Sequence, residues 1–215
     1  MDNITNSLKK HYESKFEQYG ESSQGVDWGD DQAKLDLRYE KMLNLFKDEG
    51  DSTSVLDVGC GFGGFLDYLL KNKKLNSYVG IDLVEDMVKK AQKKFSEDKA
   101  LFRCENFLEA KFDSKPDFVV CNGILTQKLD TPAIEMDKFA HKMIRKMFEL
   151  SNKGVAFNVM STKVNFFANN LYYRNPSELL SWCMSELTTK IKLDHSYPLY
   201  EYTIYLYKDL GTEQV

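Results

Sequence analysis

The stretch that decides the fold is "VLDVGCGFGGFL", residues 55–66, where an apolar run ends in an aspartate and a glycine-rich turn follows. Such a turn between a strand and a helix lets a ligand approach the backbone closely, because no side chain fills the space. Read from Gly59, the stretch satisfies the dinucleotide pattern GxGxxG, which ends at Gly64. Read from Asp57, it satisfies DxGxGxG, which ends at Gly63. The glycines alone leave two classes of cofactor open.

Asp57 separates the two classes. In a dinucleotide site the pyrophosphate lies at the N-terminus of the following helix, where a carboxylate just ahead of the loop would face an anion. S-adenosylmethionine instead carries a sulfonium, an ammonium and two ribose hydroxyls, which a carboxylate complements. Asp82 lies near the end of the next apolar run, "SYVGIDL". Its carboxylate can accept both ribose hydroxyls, although NAD sites share this contact. The residues favour S-adenosylmethionine, with an NAD(P)-dependent oxidoreductase as the alternative.

Outside this stretch, short apolar runs alternate with amphipathic helical patterns, which is typical of a parallel sheet with crossover helices. Pro176 suits the first turn of a helix ahead of the last two runs. The short link between those two runs indicates an antiparallel hairpin. The runs predict about seven strands: 54–59, 77–83, 100–106, 117–125, 154–160, 188–195 and 200–208.

At 215 residues the chain suits a single α/β domain. We predict a helical cap or lid over residues 1–50 and the cofactor-binding domain over residues 51–215. Residues 19–32, rich in Gly, Ser and Asp, are predicted to be a mobile loop or lid. The N-terminus lacks the apolar core of a secretory signal, and no run approaches the roughly 20 apolar residues that span a bilayer. These features predict a cytoplasmic protein with no membrane partner.

The net charge and the cysteine spacing argue against a nucleic-acid-binding protein and against a metal site. The formal net charge of -4 gives no large attraction to phosphate backbones, so we expect no nucleic-acid partner, although a local basic patch could escape this count. The four cysteines form no CxxC pair and do not cluster with the three histidines. We therefore expect free thiols and no metal site. A monomer or a homodimer is equally compatible with these properties.

Three segments resemble the first, second and fourth motifs of class I S-adenosylmethionine-dependent methyltransferases: "VLDVGCGFGGFLDYLL", "YVGIDLVEDMVKKAQKKF" and "DFVVCNGIL". The resemblance covers about residues 53–160 closely, and the N-terminal part is more loosely similar to small bacterial methyltransferases. It implies a three-layer, doubly wound, Rossmann-like fold. The expected seven-stranded sheet has the order 3-2-1-4-5-7-6, with strand 7 antiparallel.

Carried over residue by residue, the resemblance implies a cofactor site in which the glycine loop holds the methionine part and Asp82 the ribose. The family often has an acidic residue after its third strand. Here Asn106 stands there beside Glu105, and its amide oxygen can accept from the adenine amino group. Arg38 could pair with the cofactor's carboxylate, or it could be a solvated surface residue. The predicted cofactor-binding residues are Asp57, Gly59, Cys60, Gly61, Gly63, Asp82, Leu83, Asn106, Phe107, Asn122, Gly123 and Arg38.

The acceptor site is predicted from single residues and local composition rather than from a motif. His195, between the last two strands, could act as a base or contact the substrate, or it could be a structural histidine. Trp28 could close over the site or pack onto the domain. The aromatic-rich segment 166–207 could line the site, although most such aromatics pack in cores or interfaces. The candidate substrate-binding residues are Trp28, Tyr172, Tyr173, Tyr197, Tyr200 and Glu201.

The resulting prediction is a methyltransferase that moves a methyl group from S-adenosylmethionine to a small polar metabolite, sugar or natural-product intermediate, at oxygen. Methyl transfer is an in-line displacement, so alignment and desolvation supply much of the acceleration. Amino-methylating nucleic-acid enzymes carry a DPPY or NPPY tetrad, whereas this chain has "CNGI" at 121–124. The alternatives are the oxidoreductase and a noncatalytic cofactor-binding protein of the same fold.

Overall fold

The computed structural model describes residues 3–95 and 100–208. The helices in these residues are α1 (Asn3–Tyr19), α2 (Gln32–Leu43), α3 (Gly64–Asn72), α4 (Glu85–Lys94), α5 (Ala133–Leu150) and α6 (Pro176–Glu186). The strands are β1 (Ser54–Val58), β2 (Ser77–Asp82), β3 (Ala100–Cys104), β4 (Phe118–Cys121), β5 (Gly154–Ser161), β6 (Tyr173–Arg174), β7 (Ile191–Asp194) and β8 (Glu201–Tyr207). A short 3₁₀ turn, Ile124–Thr126, follows β4.

The sheet has the order β3-β2-β1-β4-β5-β8-β7. Strands β1 to β5 are parallel, whereas β8 runs antiparallel to both β5 and β7. The predicted order and the reversed last strand are confirmed. The two-residue strand β6 is additional: it pairs in parallel with the end of β5, where Met160 faces Tyr173. It was not predicted because two residues carry no detectable period.

The sheet separates two hydrophobic cores. Val55 of β1 packs with α2, α3 and α4 on one face, while Leu56 and Val58 pack with α5 and α6 on the other. This alternation follows from the strand period of two. Leu69 of α3 is fully buried, which stabilises the fold by roughly 2 kcal/mol relative to exposure. The result is a three-layer α/β sandwich.

Local signals set the helix ends. Asn175 caps α6 by accepting from the Ser177 N–H at 3.0 Å, and Pro176 occupies its first turn, as predicted. Asp31 caps α2 by accepting from the Lys34 N–H at 3.3 Å. Both caps satisfy an N–H that has no partner within the helix. None of the helices in the described ranges is long and apolar enough to cross a membrane.

Candidate active site

A cleft lies at the carboxyl ends of β1, β2 and β4, with about 1010 Å³ of empty space, its open mouth included. The loop between β1 and α3 forms its floor. Gly59 and Gly61 have φ of 84° and 54°, a region that side chains rarely adopt. The Gly59 N–H donates to the Ile81 carbonyl at 2.8 Å, and a Cβ atom at Gly59 would lie 2.7 Å from Ile124. Glycine therefore keeps this floor open.

Ten of the twelve predicted cofactor-binding residues line the cleft: Asp57, Gly59, Cys60, Gly61, Asp82, Leu83, Asn106, Phe107, Asn122 and Gly123. Gly63 does not. It precedes α3 with a φ of 84°, and a Cβ atom there would lie 2.6 Å from Phe95. Gly63 thus makes the turn into the helix. Gly64 begins α3 and lines the cleft.

Asp57 is a buried carboxyl group with one side-chain partner among the hydrogen bonds of the described residues. It is 2% exposed and accepts from the Tyr78 hydroxyl at 2.5 Å. Burial raises the pKa of Asp57 to about 7; the Tyr78 hydrogen bond opposes this rise and the nearby Asp82 carboxylate adds to it. A cationic ligand in the cleft would favour ionised Asp57.

Asp82 is positioned by backbone groups on both of its oxygens. Its Oδ2 accepts from the Gly61 N–H and its Oδ1 from the Val84 N–H, each at 2.9 Å. Burial raises the pKa of Asp82, and these hydrogen bonds act against the rise. Each carboxylate oxygen keeps a free lone pair, so the group can accept two hydroxyls side by side.

The far end of the cleft is lined by Leu83, Glu105, Asn106 and Phe107. The Asn106 side chain already caps a turn: its oxygen accepts from the Leu108 N–H at 3.1 Å, and its nitrogen donates to a nearby glutamate at 2.9 Å. One acceptor site remains on the amide oxygen. The predicted contact of Asn106 with the adenine amino group therefore stays open as a prediction.

The turn after β4 presents an unpaired amide oxygen. The Oδ1 atom of Asn122 is buried and has no hydrogen-bond partner in the described part of the chain, and Asn122 lines the cleft. A buried hydrogen-bond acceptor without a partner lowers the stability of the fold by about 1–3 kcal/mol. Gly123, with a φ of 108°, donates its N–H to Asn158 Oδ1 at 2.8 Å. The arrangement suits a ligand that donates a hydrogen bond to Asn122.

The roof of the cleft comes from α1 and from the loop 20–31, which supply Leu8, Tyr12, Val26 and Trp28. Burial raises the pKa of Tyr12, and the carboxylates of Asp27 and Asp82 raise it further, so its hydroxyl stays protonated at neutral pH. Sequence reasoning missed Tyr12. Its only signal is a helical stripe with Leu8, which equally indicates a core-facing helix.

Asp27 links this roof to the body of the domain. Its Oδ2 contacts His11 Nε2 and accepts from Gln127 Nε2, both at 2.7 Å, and its Oδ1 pairs with Lys15 at 2.9 Å. Burial opposes ionisation of Asp27, but the hydrogen bonds from His11 and Lys15 lower its pKa below the ordinary value. Asp27 also has a φ of 62°, which is rare outside glycine. Three elements thus converge on one strained residue.

Arg38 and Glu201, predicted for cofactor and substrate, pair with each other. Arg38 Nε donates to both Glu201 oxygens, at 3.1 and 3.0 Å, and Nη2 lies 2.9 Å from Oε2. Both residues are buried, at 8% and 1% exposure, so the surface interpretation of Arg38 is wrong. Neither side chain lines the cleft. Trp28, which does, stacks on the Arg38 guanidinium at 3.9 Å from the ring centroid.

The other acceptor-site candidates lie outside the cleft lining. His195 is exposed and packs edge-on against Tyr202 at 5.8 Å. Tyr197 is buried and shares a 2.9 Å hydrogen bond with Thr203, while Tyr200 is 49% exposed. All three histidines of the chain fall within the described ranges, and none lines the cleft. The geometry adds no support for His195 as a base.

Tyr172 and Tyr173 are engaged in structural contacts. The buried Tyr172 donates its hydroxyl to Asp137 at 2.6 Å. The Tyr173 hydroxyl accepts from the Ala168 N–H at 3.1 Å, and its ring packs edge-on against Phe167. These contacts account for both side chains without a substrate, and their contact with substrate stays a prediction.

The cleft fits S-adenosylmethionine better than a dinucleotide. Two carboxyl groups, the buried Asp57 and the half-buried Asp82, flank the loop where a pyrophosphate would lie. They suit an ammonium, a sulfonium and ribose hydroxyls instead. The glycine floor admits a ligand against the backbone. The unpaired Asn122 oxygen adds an acceptor to a site that otherwise offers carboxylates. The donor set therefore matches a cationic, hydroxyl-bearing cofactor.

Comparisons with known proteins agree with this geometry. The family described as "Methyltransferase domain" matches residues 55–149. Rv1506c of Mycobacterium tuberculosis (strain ATCC 25618 / H37Rv), a protein named as a methyltransferase, is 30% identical over 161 residues, which cover 74% of this chain and 95% of that protein. A malonyl-[acyl-carrier protein] O-methyltransferase of Acetivibrio thermocellus is 33% identical over 89 residues, 39% of this chain and 31% of that enzyme.

Solved structures share the fold. The magnesium protoporphyrin IX methyltransferase of Synechocystis PCC 6803, with bound S-adenosylhomocysteine, has a TM-score of 0.69 at 15% identity, covering 96% of this chain and 100% of that one. A DhpI complex with S-adenosylmethionine has a TM-score of 0.66 at 14% identity, covering 96% and 99%. With the family match and the relative at 30% identity, the conclusion is that this chain belongs to the class I S-adenosylmethionine-dependent methyltransferases.

Proposed function

We propose that the protein methylates a hydroxyl oxygen of a small, uncharged polar acceptor, such as a metabolite, a sugar or a natural-product intermediate. The observation that carries this proposal is the unpaired, buried Asn122 oxygen in the cleft. It can accept a hydrogen bond from the acceptor's O–H and so direct an oxygen lone pair into the cleft. An N–H would satisfy the same atom, and the experiment below separates the two.

The charge of the cleft supports an uncharged acceptor. The charged side chains that line it, among the residues described, are the carboxyl groups of Asp57, Asp82 and Glu105 and the ammonium of Lys9. An anionic acceptor would face net repulsion in this low-dielectric space. A carboxylate or phosphate acceptor is therefore disfavoured, although such groups need no base.

When bound, S-adenosylmethionine supplies an electrophilic methyl carbon. The chain aligns the acceptor through Asn122 and excludes water with the roof of Leu8, Tyr12 and Trp28. Tyr12 stays protonated at neutral pH, so it does not take up the acceptor's proton. Among the described residues no histidine lines the cleft. As the new O–C bond forms and the methyl carbon's bond to sulfur breaks, the acceptor's proton passes to water at the open mouth of the cleft. Alignment and desolvation then carry most of the acceleration.

We infer that the binding partners are those that the sequence predicted. The acceptor is a small molecule rather than nucleic acid, because the chain has "CNGI" at 121–124 in place of a base-engaging tetrad and a net charge of -4. The protein acts in the cytoplasm as a monomer or a homodimer. The predicted cap, residues 1–50, and the catalytic domain, residues 51–215, act together, because α1 and the loop 20–31 line the cleft of the domain.

The acceptor can be found by incubating the protein with a fractionated metabolite extract and S-adenosylmethionine carrying a ¹³C-methyl group. We expect one small, uncharged product whose labelled carbon has the chemical shift of a methoxy group. The Asn122→Leu variant, incubated in parallel, should form that product about 100-fold more slowly. A label on nitrogen or on a carboxylate would contradict the proposed acceptor class, and a label on added nucleic acid would contradict a small-molecule acceptor.

Binding of S-adenosylmethionine should tighten as the pH rises. Burial raises the pKa of Asp57 to about 7, so below that pH a cationic cofactor must displace a proton from the carboxyl group. We expect the Kd to fall about tenfold between pH 5.5 and 7, a window in which an α-amino group stays protonated. Calorimetry in buffers of different ionisation enthalpy measures both the Kd and the released proton.

The Asp57→Asn variant is the control for this pH dependence. It keeps the side-chain volume but cannot ionise, so its Kd should vary by less than about twofold over the same window. An equal pH dependence in wild type and variant would show that another group titrates on binding.

A further inference from the structure

We propose that Glu201, with Asn158 and Arg38, positions the Asn122–Gly123 turn for methyl transfer. The proposal concerns a set of contacts, called here the Glu201 relay: the Arg38 guanidinium, the Glu201 carboxylate, the Asn158 amide and the Gly123 N–H. It rests on the proposed role of Asn122 toward the acceptor. None of the three side chains touches the cleft, so they act as positioning residues.

The relay is continuous from α2 to the turn. Arg38 Nε and Nη2 hold the Glu201 carboxylate at 2.9–3.1 Å. Glu201 Oε1 in turn accepts from Asn158 Nδ2 at 2.9 Å, which leaves Asn158 Oδ1 directed at the Gly123 N–H, 2.8 Å away. The carboxylate thus decides which way the Asn158 amide faces. A flipped amide would point its NH₂ group at the Gly123 N–H, which is also a donor.

Trp28 of the roof connects the Glu201 relay to the same turn by a second route. Trp28 stacks on the guanidinium of Arg38 at 3.9 Å, and its Cζ2 lies 2.8 Å from where a Cβ atom of Gly123 would stand. The same ion pair therefore supports both the turn that carries Asn122 and the aromatic ring above it. Motion of Arg38 or Glu201 would loosen the turn and the ring together.

Stability alone does not account for this pair. Glu201 and Asn158 are each 1% exposed, and removing two charges from water often costs more than their attraction returns. A second ion pair joins the same helix to the sheet: Lys41 of α2 lies 3.1 Å from Asp194 of β7. Asp194 bonds to Lys41 and Ser196 rather than to the turn after β4. It provides a matched control.

The test exchanges the charge between positions 201 and 158. Glu201→Gln alone removes the charge that orients the Asn158 amide, and Asn158→Asp alone places two carboxylates together. We expect each to lower kcat about 30-fold, with the Kd for S-adenosylmethionine changed less than threefold. In the double variant, the new amide at 201 can donate to the new carboxylate at 158, which still accepts from Gly123. Its kcat should return to within about threefold of wild type.

The control, Asp194→Asn, breaks the second ion pair of α2 and should leave kcat unchanged. A double variant no more active than either single variant would overturn the proposal. A fall in kcat for Asp194→Asn as large as that for Glu201→Gln would also overturn it, because loss of an ion pair on α2 would then explain both.

A readout that needs no acceptor keeps the relay separate from the proposed function. In protein labelled with ¹⁵N-glycine, the Gly123 amide proton should shift upfield in Glu201→Gln, as its hydrogen bond weakens, and return in the double variant. An unmoved Gly123 signal would overturn the relay itself. If the signal moves as expected but the hydroxyl acceptor proves wrong, the proposed function fails and the relay stands.

Discussion

Asp57→Ala should raise the Kd for S-adenosylmethionine about 100-fold, measured by calorimetry at pH 8, with the chain still folded. At that pH the wild-type carboxyl group, whose pKa is about 7, is ionised in most molecules. It is 2% exposed, so its interaction with a cationic ligand is weakly screened. A 100-fold change corresponds to about 2.7 kcal/mol, the strength of a hydrogen bond to a charged group.

Stability should move in the opposite direction. A carboxyl group whose folded pKa lies above its unfolded value favours the folded state at low pH, and this contribution is lost as pH rises through the folded pKa. For Asp57 that window runs from about 4 to about 7. Asp57→Asn should therefore unfold at a higher temperature than wild type at pH 8, with little difference at pH 4. Thermal unfolding without cofactor measures both.

Asp67→Ala is the matched control for the binding loss. Asp67 lies in the first turn of α3, pairs with Lys94 at 2.6 Å and is 40% exposed, and it does not line the cleft. Its variant should bind the cofactor like wild type. If Asp57→Ala also bound S-adenosylmethionine normally, the cofactor would not lie at the end of β1.

The fold and the cofactor half of the site could be predicted because they depend on local patterns. The period of two places Val55 and Leu56 on opposite faces of β1, and both faces are buried, as a parallel sheet requires. Asp57 and Asp82 end neighbouring parallel strands, whose carboxyl ends meet at one edge of the sheet. The positions of Asp57 and Asp82 at the ends of their strands therefore imply that the two carboxyl groups lie close together.

The acceptor half depends on contacts that no local pattern encodes. Arg38 and Glu201 are 163 residues apart, and as separate residues each offered a plausible ligand contact. Only the tertiary structure shows that they neutralise each other. Tyr12 is the reverse case, since its apolar stripe indicates core packing alone. In the structure it packs against the core and also lines the cleft. His195 was predicted from its position at a strand junction, but the loop leaves it exposed.

The turn after β4 could be predicted only in part from the sequence. The resemblance implied that Asn122 binds the cofactor, and the structure places it in the cleft. What the sequence could not indicate is that its oxygen is buried and unpaired. That state depends on Asn158, which occupies the Gly123 N–H, and on the roof above the turn. The same residue can therefore contact the acceptor as well as the cofactor.

Asn122→Leu should lower kcat about 100-fold while the Kd for S-adenosylmethionine changes less than threefold. The substitution keeps similar volume but removes the oxygen that orients the acceptor, and misplacement of a reactant by about 1 Å can cost 100-fold. It also removes a buried acceptor without a partner, so the free energy of unfolding should not fall. Steady-state kinetics with the acceptor identified by ¹³C labelling, together with calorimetry, measure the two effects.

Asn122→Asp distinguishes hydrogen bonding from simple packing. Its carboxylate still accepts from a hydroxyl at the same position, so kcat should fall less than tenfold, whereas Asn122→Leu loses the contact completely. If both variants lost activity equally, shape rather than hydrogen bonding would govern the position. If Asn122→Leu weakened cofactor binding as much as it lowered kcat, Asn122 would serve the cofactor alone. Another group, such as Tyr12 on the roof, would then have to orient the acceptor's hydroxyl.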